Sequence, residues 1–552
     1  MWRALFLVLV MSTVVGGCGK SGKKTVYAGR EAGAPGTEGA PDPAQDLQPD
    51  SAAAGAGTAA NAMLAPSRAG VRVLSRTELS LSLVDILDLS SPPLLASYNE
   101  PSSTTPLFRN GSDIVPDAGN LRAFDLEVST LVEALDLAAL AQKRVGCSVL
   151  SSSTCQESFL VDTAQRAWRR PLLNAERDQI KGLLNSMVSG DLPVAFSLRM
   201  LVKILIVDHR FLFRSELGQA PGVGENFALS PWEKLSSLSY TLLHRPPSQA
   251  LVARLKDLEA DPSLFAGVAA EMAHSGDFAL MVSEFLSQWL QVYGLENKVI
   301  PGAQAWNANL ARDMQNSMAQ FVAKVLGAGG GLKALWLTPN LDGNQGQGVL
   351  ETKAFLTSTT RSGHQSLIIR GVRIMRDLLC QSILPPPPTL DTAAPAALDP
   401  NDPNFGEKMT LQHGSREGCK GCHARIDPVG LSLQAFDALG AFTGHKVDFA
   451  ALGIEPRVLA GINDDVSEIR TQDQANLVQS MAESSVFRRC FARNLTRYLV
   501  GRQLAEEELA LADQLAEQLL RPEDGAKDSV MDFAAAIVQH PQFFVRAPVP
   551  TN

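Results

Sequence analysis

Along most of the chain, apolar side chains recur at three- and four-residue spacing, and period-two alternation is scarce, so the pattern predicts a mainly α fold. Leu79, Leu83, Ile86 and Leu87 mark a first helix opened by Arg76-Thr77-Glu78-Leu79 and ended by Asp88 and the run Ser90 to Pro93. One long helix is expected from Ala118 to Arg144, another from Phe159 to Trp168 that breaks at Pro171, one capped by Asn174 that runs to Met187, and one from Phe196 to Phe213. Leu229-Ser230-Pro231-Trp232-Glu233 is a helix start with Ser230 as N-cap, Pro231 at the first position and Glu233 closing a capping box. Amphipathic stretches follow at 251–257, 262–273, 278–293, 308–326, 350–357 and 367–379, with Phe285 and Trp289 sharing a core face. Past residue 405 the helical signal returns at 471–480, 486–499, 505–520 and 529–539, with Gly501 as a C-terminal cap.

Two stretches lack this pattern. Residues 19–70 are rich in Gly, Ala, Pro, Ser and Asp and nearly free of large apolar side chains, which predicts a flexible tether. Pro385 to Pro388 and the Pro-, Ala- and Asp-rich run to Phe405 form a stiff spacer. Ahead of the tether, Arg3, the apolar run Ala4–Val15 and Val15-Gly16-Gly17-Cys18 resemble a bacterial lipoprotein signal. The run falls well short of the about 20 residues a membrane span needs. Cys18 is then the lipidated first residue of the mature chain, and Gly19 in place of Asp favours the outer membrane, with the protein facing the periplasm or the cell surface. The chain divides into a signal peptide (1–18), a linker (19–70), helical domains at 71–145, 146–220 and 221–357, a domain at 358–465 that includes the proline spacer, and a C-terminal helical domain at 466–552.

Charge and cysteines narrow the chemistry. A net charge of −9 and 6% aromatic residues argue against nucleic acid as a partner. Seven cysteines in an exported chain should be paired, ligated or modified. Cys419-Lys420-Gly421-Cys422-His423 is a C-x-x-C-H motif, in which two thiols can add to the vinyl groups of one heme and the following His can ligate its iron. The cofactor expected is one covalent heme c, with Cys419, Cys422 and His423 holding it. A zinc site and a plain dithiol compete for the same residues. Cys147 and Cys155 flank a Ser/Thr-rich loop and read as a local disulfide, and elimination leaves Cys380 with Cys490. Asp427-Pro428 is expected to turn the chain, Gly430 to relieve crowding, and Leu431, Leu433, Phe436 and Leu439 to cover a heme face. His413, the proposed distal iron ligand, competes with Met409, His445 and Met481, of which Met481 reads as core. His209 reads as a core or capping residue, and His244, His274 and His364 as isolated, so a metal-dependent hydrolase has little support.

Taken together, Arg76–Leu79, Trp168–Leu172, the helix start at Leu229, Arg370-Gly371 with Leu378–Cys380, the segment His413–Phe442, and Cys490 with Tyr498–Arg502 resemble the secreted, cytochrome-c-like multidomain proteins of the planctomycete type. The resemblance covers nearly everything from residue 72 and implies a multi-helical body followed by a cytochrome-c-like C-terminal module. Two positions depart from the family pattern: Gln434, where members often carry Glu, and Ala441-Phe442, where a basic residue is common. The expected function is that of an exported, lipid-anchored monoheme protein that transfers electrons to a redox partner protein or serves as the redox module of an oxidoreductase. The alternative is a non-catalytic outer-membrane lipoprotein whose body binds a surface partner or polymer and whose motif is structural.

Overall fold

The computed structural model describes residues 62–98, 118–218, 225–361, 363–384, 402, 404–416, 418–521 and 527–548. The signal segment with Cys18, most of the expected tether and the four consecutive prolines fall outside these residues. Helices dominate what is described, so the mainly α expectation is borne out.

Most helices form where the apolar period places them, and local capping sets their ends. Ser75 and Glu78 close a capping box on helix Arg76–Leu87, and Asp88 ends it in the left-handed region. Ser230, Pro231 and Glu233 start helix Pro231–Leu243 as expected. Three expectations change. The long helix at 118–144 is two, Ala118–Glu133 and Leu137–Val145, because Asp136 accepts from Ala138 N and Ala139 N at 3.1 and 3.0 Å and starts the second one. The helix expected to reach Phe213 stops at Val207, where Asp208 caps the single turn His209–Leu212 and leads into strand Phe213–Glu216. His209 is therefore no core residue, and its side chain is 78% exposed.

The described residues pack around two large apolar cores. One joins Leu79, Leu83, Phe124, Phe159, Leu205 and Phe211 of the first third of the chain. The other runs from Leu235 to Phe543, so the stretches expected as 221–357, 358–465 and 466–552 bury their apolar faces together. Leu64 is buried in this second core and strand Ser67–Arg68 pairs in parallel with Val545–Ala547, so ordered structure begins before residue 70. Strand Gly70–Val73 pairs antiparallel with Phe213–Glu216.

Buried polar groups tie these parts together. Glu216 accepts from Arg72 Nε and Arg546 Nε, each at 2.9 Å, which binds three chain-distant strands to one carboxylate. Burial alone pushes Glu216 up, but Arg72, Arg546 and Arg214 outweigh it and hold the carboxyl at about 2. His244 is not isolated: Nε2 lies 3.1 Å from Tyr498 Oη, and Nδ1 lies 3.8 Å from Glu78 Oε1. The two expected disulfides, Cys147–Cys155 and Cys380–Cys490, are present, with Cα separations of 5.9 and 5.6 Å.

A hairpin was not expected from the pattern. Strands Arg457–Ile462 and Asp465–Arg470 pair antiparallel, with Val458, Ala460 and Ile462 turned inward. Exposed Leu459 (62%) and Val466 (60%) blur the alternation that would have announced it.

Candidate heme-attachment site

Helix Lys420–Ser432 carries the motif, and helix Leu367–Arg373 fixes where it lies. The two cross at glycines. A Cβ on Gly430 would stand 2.0 Å from Leu367 O, and one on Gly371 would stand 2.1 Å from Ile426 O. Backbone therefore meets backbone at the crossing, which only glycine permits. Arg370, fully buried, donates to the carbonyls of Leu433 (2.9 Å), Phe436 (2.8 Å) and Asp437 (2.6 Å). These hydrogen bonds satisfy acceptors just past the helix end that no helical N–H can reach. Burial lowers the Arg370 pKa to about 10.

Asp427-Pro428 does not turn the chain, because Pro428 sits inside the helix. The proline costs one backbone donor, and burial of Ile426, Val429 and Leu431 around it holds the helical path. The apolar residues expected to cover a heme face pack within the protein. Leu433 and Phe436 are wholly buried in the second core, and Leu431 packs with Leu367 and Phe449. Phe442, one of the departing positions, stacks edge-on against Phe436 at 5.6 Å. Gln434, the other, is buried with neither amide atom hydrogen-bonded among the described residues.

The motif itself opens the helix. Cys419 is the N-cap residue and half-buried, Cys422 is exposed, and neither joins a disulfide. His423 follows on the first turn with a side chain 12% exposed. Its Nδ1 lies 2.9 Å from Asp427 Oδ1 and 3.1 Å from Asp427 Oδ2. One helical turn separates the two residues, so the pairing follows from keeping the helix intact through Pro428. A proton on Nδ1, facing the carboxylate, would leave the lone pair of a neutral imidazole on Nε2.

Helix Phe405–Gly414 covers this pair. A Cβ on Gly414 would lie 3.0 Å from Asp427 Oδ2 and 3.4 Å from His423 Cβ. Among the sixth-ligand candidates, Met481 is fully buried in the second core, and His445 Nε2 is 3.0 Å from Glu407 Oε1. Met409 and His413 belong to helix Phe405–Gly414, and the His413 side chain lies outside the described residues.

The donor set fits covalent heme: a half-buried and an exposed thiol outside any disulfide, then a His whose Nδ1, rather than Nε2, meets a carboxylate. Among the described residues no group of three or more His, Cys, Asp and Glu side chains is arranged to hold a metal ion, as a structural zinc site would require. Asp427 is the candidate site residue that the sequence reading missed. The signal was present as the four-residue spacing of His423 and Asp427, but reading Asp427-Pro428 as a turn hid it.

No curated protein and no solved structure matches the chain. Two family models do, each over about a fifth of its length. PSD4, described as a protein of unknown function (DUF1592), matches residues 229–341. PSCyt3, described as a protein of unknown function (DUF1588), matches residues 346–446, the stretch that holds Arg370, both crossing glycines, the motif and Asp427.

Proposed function

We propose that the protein is an exported c-type cytochrome-like electron-transfer protein, or the redox module of an oxidoreductase, holding one heme c. Cys419 and Cys422 would hold the heme through their sulfurs, and His423 would hold its iron through Nε2. Bound there, the heme supplies one-electron exchange. The chain's own part is to fix the attachment helix through the glycine crossing and Arg370, and to set the His423 ring through Asp427. His413, with Met409 on the same helix, would be the candidate for a second iron contact. The observation that carries the reading is the His423–Asp427 hydrogen bond directly after two cysteines outside any disulfide. The name of the matching family model, PSCyt3, is in keeping with a cytochrome-like relation.

On this reading the N-terminal segment is a lipoprotein signal, and Cys18 anchors the mature protein to the outer membrane. Among the described residues no helix is long and apolar enough to cross a membrane. Attachment then rests on the lipid, and electrons pass to or from a redox partner protein.

The test is expression of the full chain in cells with an active cytochrome c maturation system. Heme is expected to stay with the polypeptide on a denaturing gel. Cys419→Ala or Cys422→Ala should weaken that covalent retention and His423→Ala should change the absorption spectrum. A colourless wild-type protein overturns the reading.

One observation favours the second reading, that the helical body binds a surface partner or polymer. A cleft of about 680 Å³ is lined by Trp232, Arg166, Arg169, Arg245, Asp85 and Asp162. With Asp277 also in the lining, its three arginines are matched by three carboxylates: Arg245 lies 2.6 Å from Asp85 and 2.9 Å from Asp277, and Arg166 lies 2.8 Å from Asp162. An indole face beside neutralised charges suits an uncharged polyol such as a saccharide. Titration calorimetry with soluble oligosaccharides should show binding that Trp232→Ala removes, and no heat with any of them counts against this reading.

A further inference from the structure

The attachment helix could have left the His423 ring to a backbone carbonyl or to water. Instead both oxygens of one buried carboxylate lie within hydrogen-bond distance of Nδ1. The Asp427 side chain is 6% exposed, so its charge acts on the imidazole with little screening by water. The end of helix Phe405–Gly414 packs close over it: a Cβ on Gly414 would stand 3.0 Å from Asp427 Oδ2. An exposed pair one turn apart adds only a few tenths of a kcal/mol to a helix, so stability alone is a weak reason for burying this one.

We propose that Asp427 is the positioning residue that sets the reduction potential of this site. It holds His423 as the Nδ1–H tautomer and, through its negative charge, makes Nε2 a stronger electron donor to the iron, which stabilises the ferric state over the ferrous. The proposal rests on the heme reading above and adds a direction to it: the site is tuned toward low potential, as suits an electron donor or a center that gives electron density to an oxygen ligand, rather than a high-potential acceptor.

The experiment is redox titration of the purified, matured full-length protein beside Asp427→Asn and Asp427→Glu. Asparagine keeps the size and removes the charge. It is expected to shift the ferric–ferrous equilibrium at least tenfold toward ferrous, a rise of about 59 mV or more in midpoint potential. Glutamate keeps the charge and should return the potential toward the wild-type value, which a purely structural role would not require. An Asn variant that retains heme at an unchanged potential overturns this proposal alone. A wild-type protein without covalent heme overturns the parent reading and this one with it. Should neither variant mature, nitrogen NMR of the wild-type chain labelled with 15N-histidine, made without heme, decides between tautomers. The Nδ1–H form at His423 is expected, and the Nε2–H form overturns the proposal.

Discussion

Glu351 shows how much one buried carboxyl can set. It is 1% exposed, Oε2 accepts from Gln347 N at 2.7 Å, and Oε1 has no hydrogen-bond partner among the described residues. Burial raises its pKa to about 7, with Asp473 adding to the rise and the Gln347 amide opposing it. Its folded pKa lies above the ordinary value of 4.5, so the folded state holds the proton more tightly. Its contribution is then full below about 4.5, declines as pH rises toward 7 and is level above that. We expect Glu351→Gln to gain on the order of 3 kcal/mol relative to wild type between pH 4.5 and pH 8, read as the variant-minus-wild-type difference in urea unfolding. Glu216 does not confuse the comparison, because its depressed pKa of about 2 confines its own pH window to below 4.5. A difference that does not change with pH would show that Glu351 is ionised without penalty. Glu351 also shows where sequence reading stops. Cys419, Cys422 and His423 were legible as residue types, but neither the burial of Glu351 nor the turn of helix joining His423 to Asp427 can be read before the backbone path is known.

Among elements, apolar period located most helices of the body, because each buries one face and a 3.6-residue stripe survives in the sequence, but not Phe405–Gly414 and Lys420–Ser432 at the candidate site. Ends and breaks were less legible, since a single capping side chain decides them. Asp136 splits a stretch whose leucines run on unbroken, and Asp208 ends another. The hairpin at 457–470 was hidden because Leu459 and Val466 are apolar on the solvent side. Least legible was the crossing of Leu367–Arg373 with Lys420–Ser432, where glycines act through what they lack. A methyl group at residue 430 would stand 2.0 Å from Leu367 O, against backbone that cannot rotate away. Gly430→Ala should therefore push the attachment helix off its partner, at a cost of about 3 kcal/mol or more in unfolding free energy. In the matured protein it should also disturb the Soret band. Gly421→Ala, on the same helix with nothing within 4 Å of the added carbon, is the control and should cost little. Equal stability of the two variants would mean that the helices separate freely.

For the molecule as a whole, each large core carries its own disulfide. Cys155 belongs to the N-terminal core, with Cys147 packed against it. Cys490 belongs to the larger core, with Cys380 packed against it. Between the cores lies a polar seam in which His244 joins Glu78 to Tyr498. Cysteine parity made both pairings legible, yet the division into two cores was not, since it depends on which distant helices share a face. The two bridges close loops of very different length, with sequence separations of 8 and 110 residues. On the chain-entropy model the short one contributes about 2–3 kcal/mol and the long one about 5 kcal/mol, because the unfolded chain loses more freedom to the longer closure. We therefore expect the double substitution Cys380→Ala with Cys490→Ala to lower the unfolding temperature of the larger core by clearly more than Cys147→Ala with Cys155→Ala lowers that of the smaller. Scanning calorimetry, with fluorescence of variants that keep only Trp289 and Trp336 for the larger core or only Trp168 for the smaller, separates the two. If both double variants depress both signals together and equally, the polar seam couples the cores into one cooperative unit, and the bridges stabilise the whole rather than their own halves.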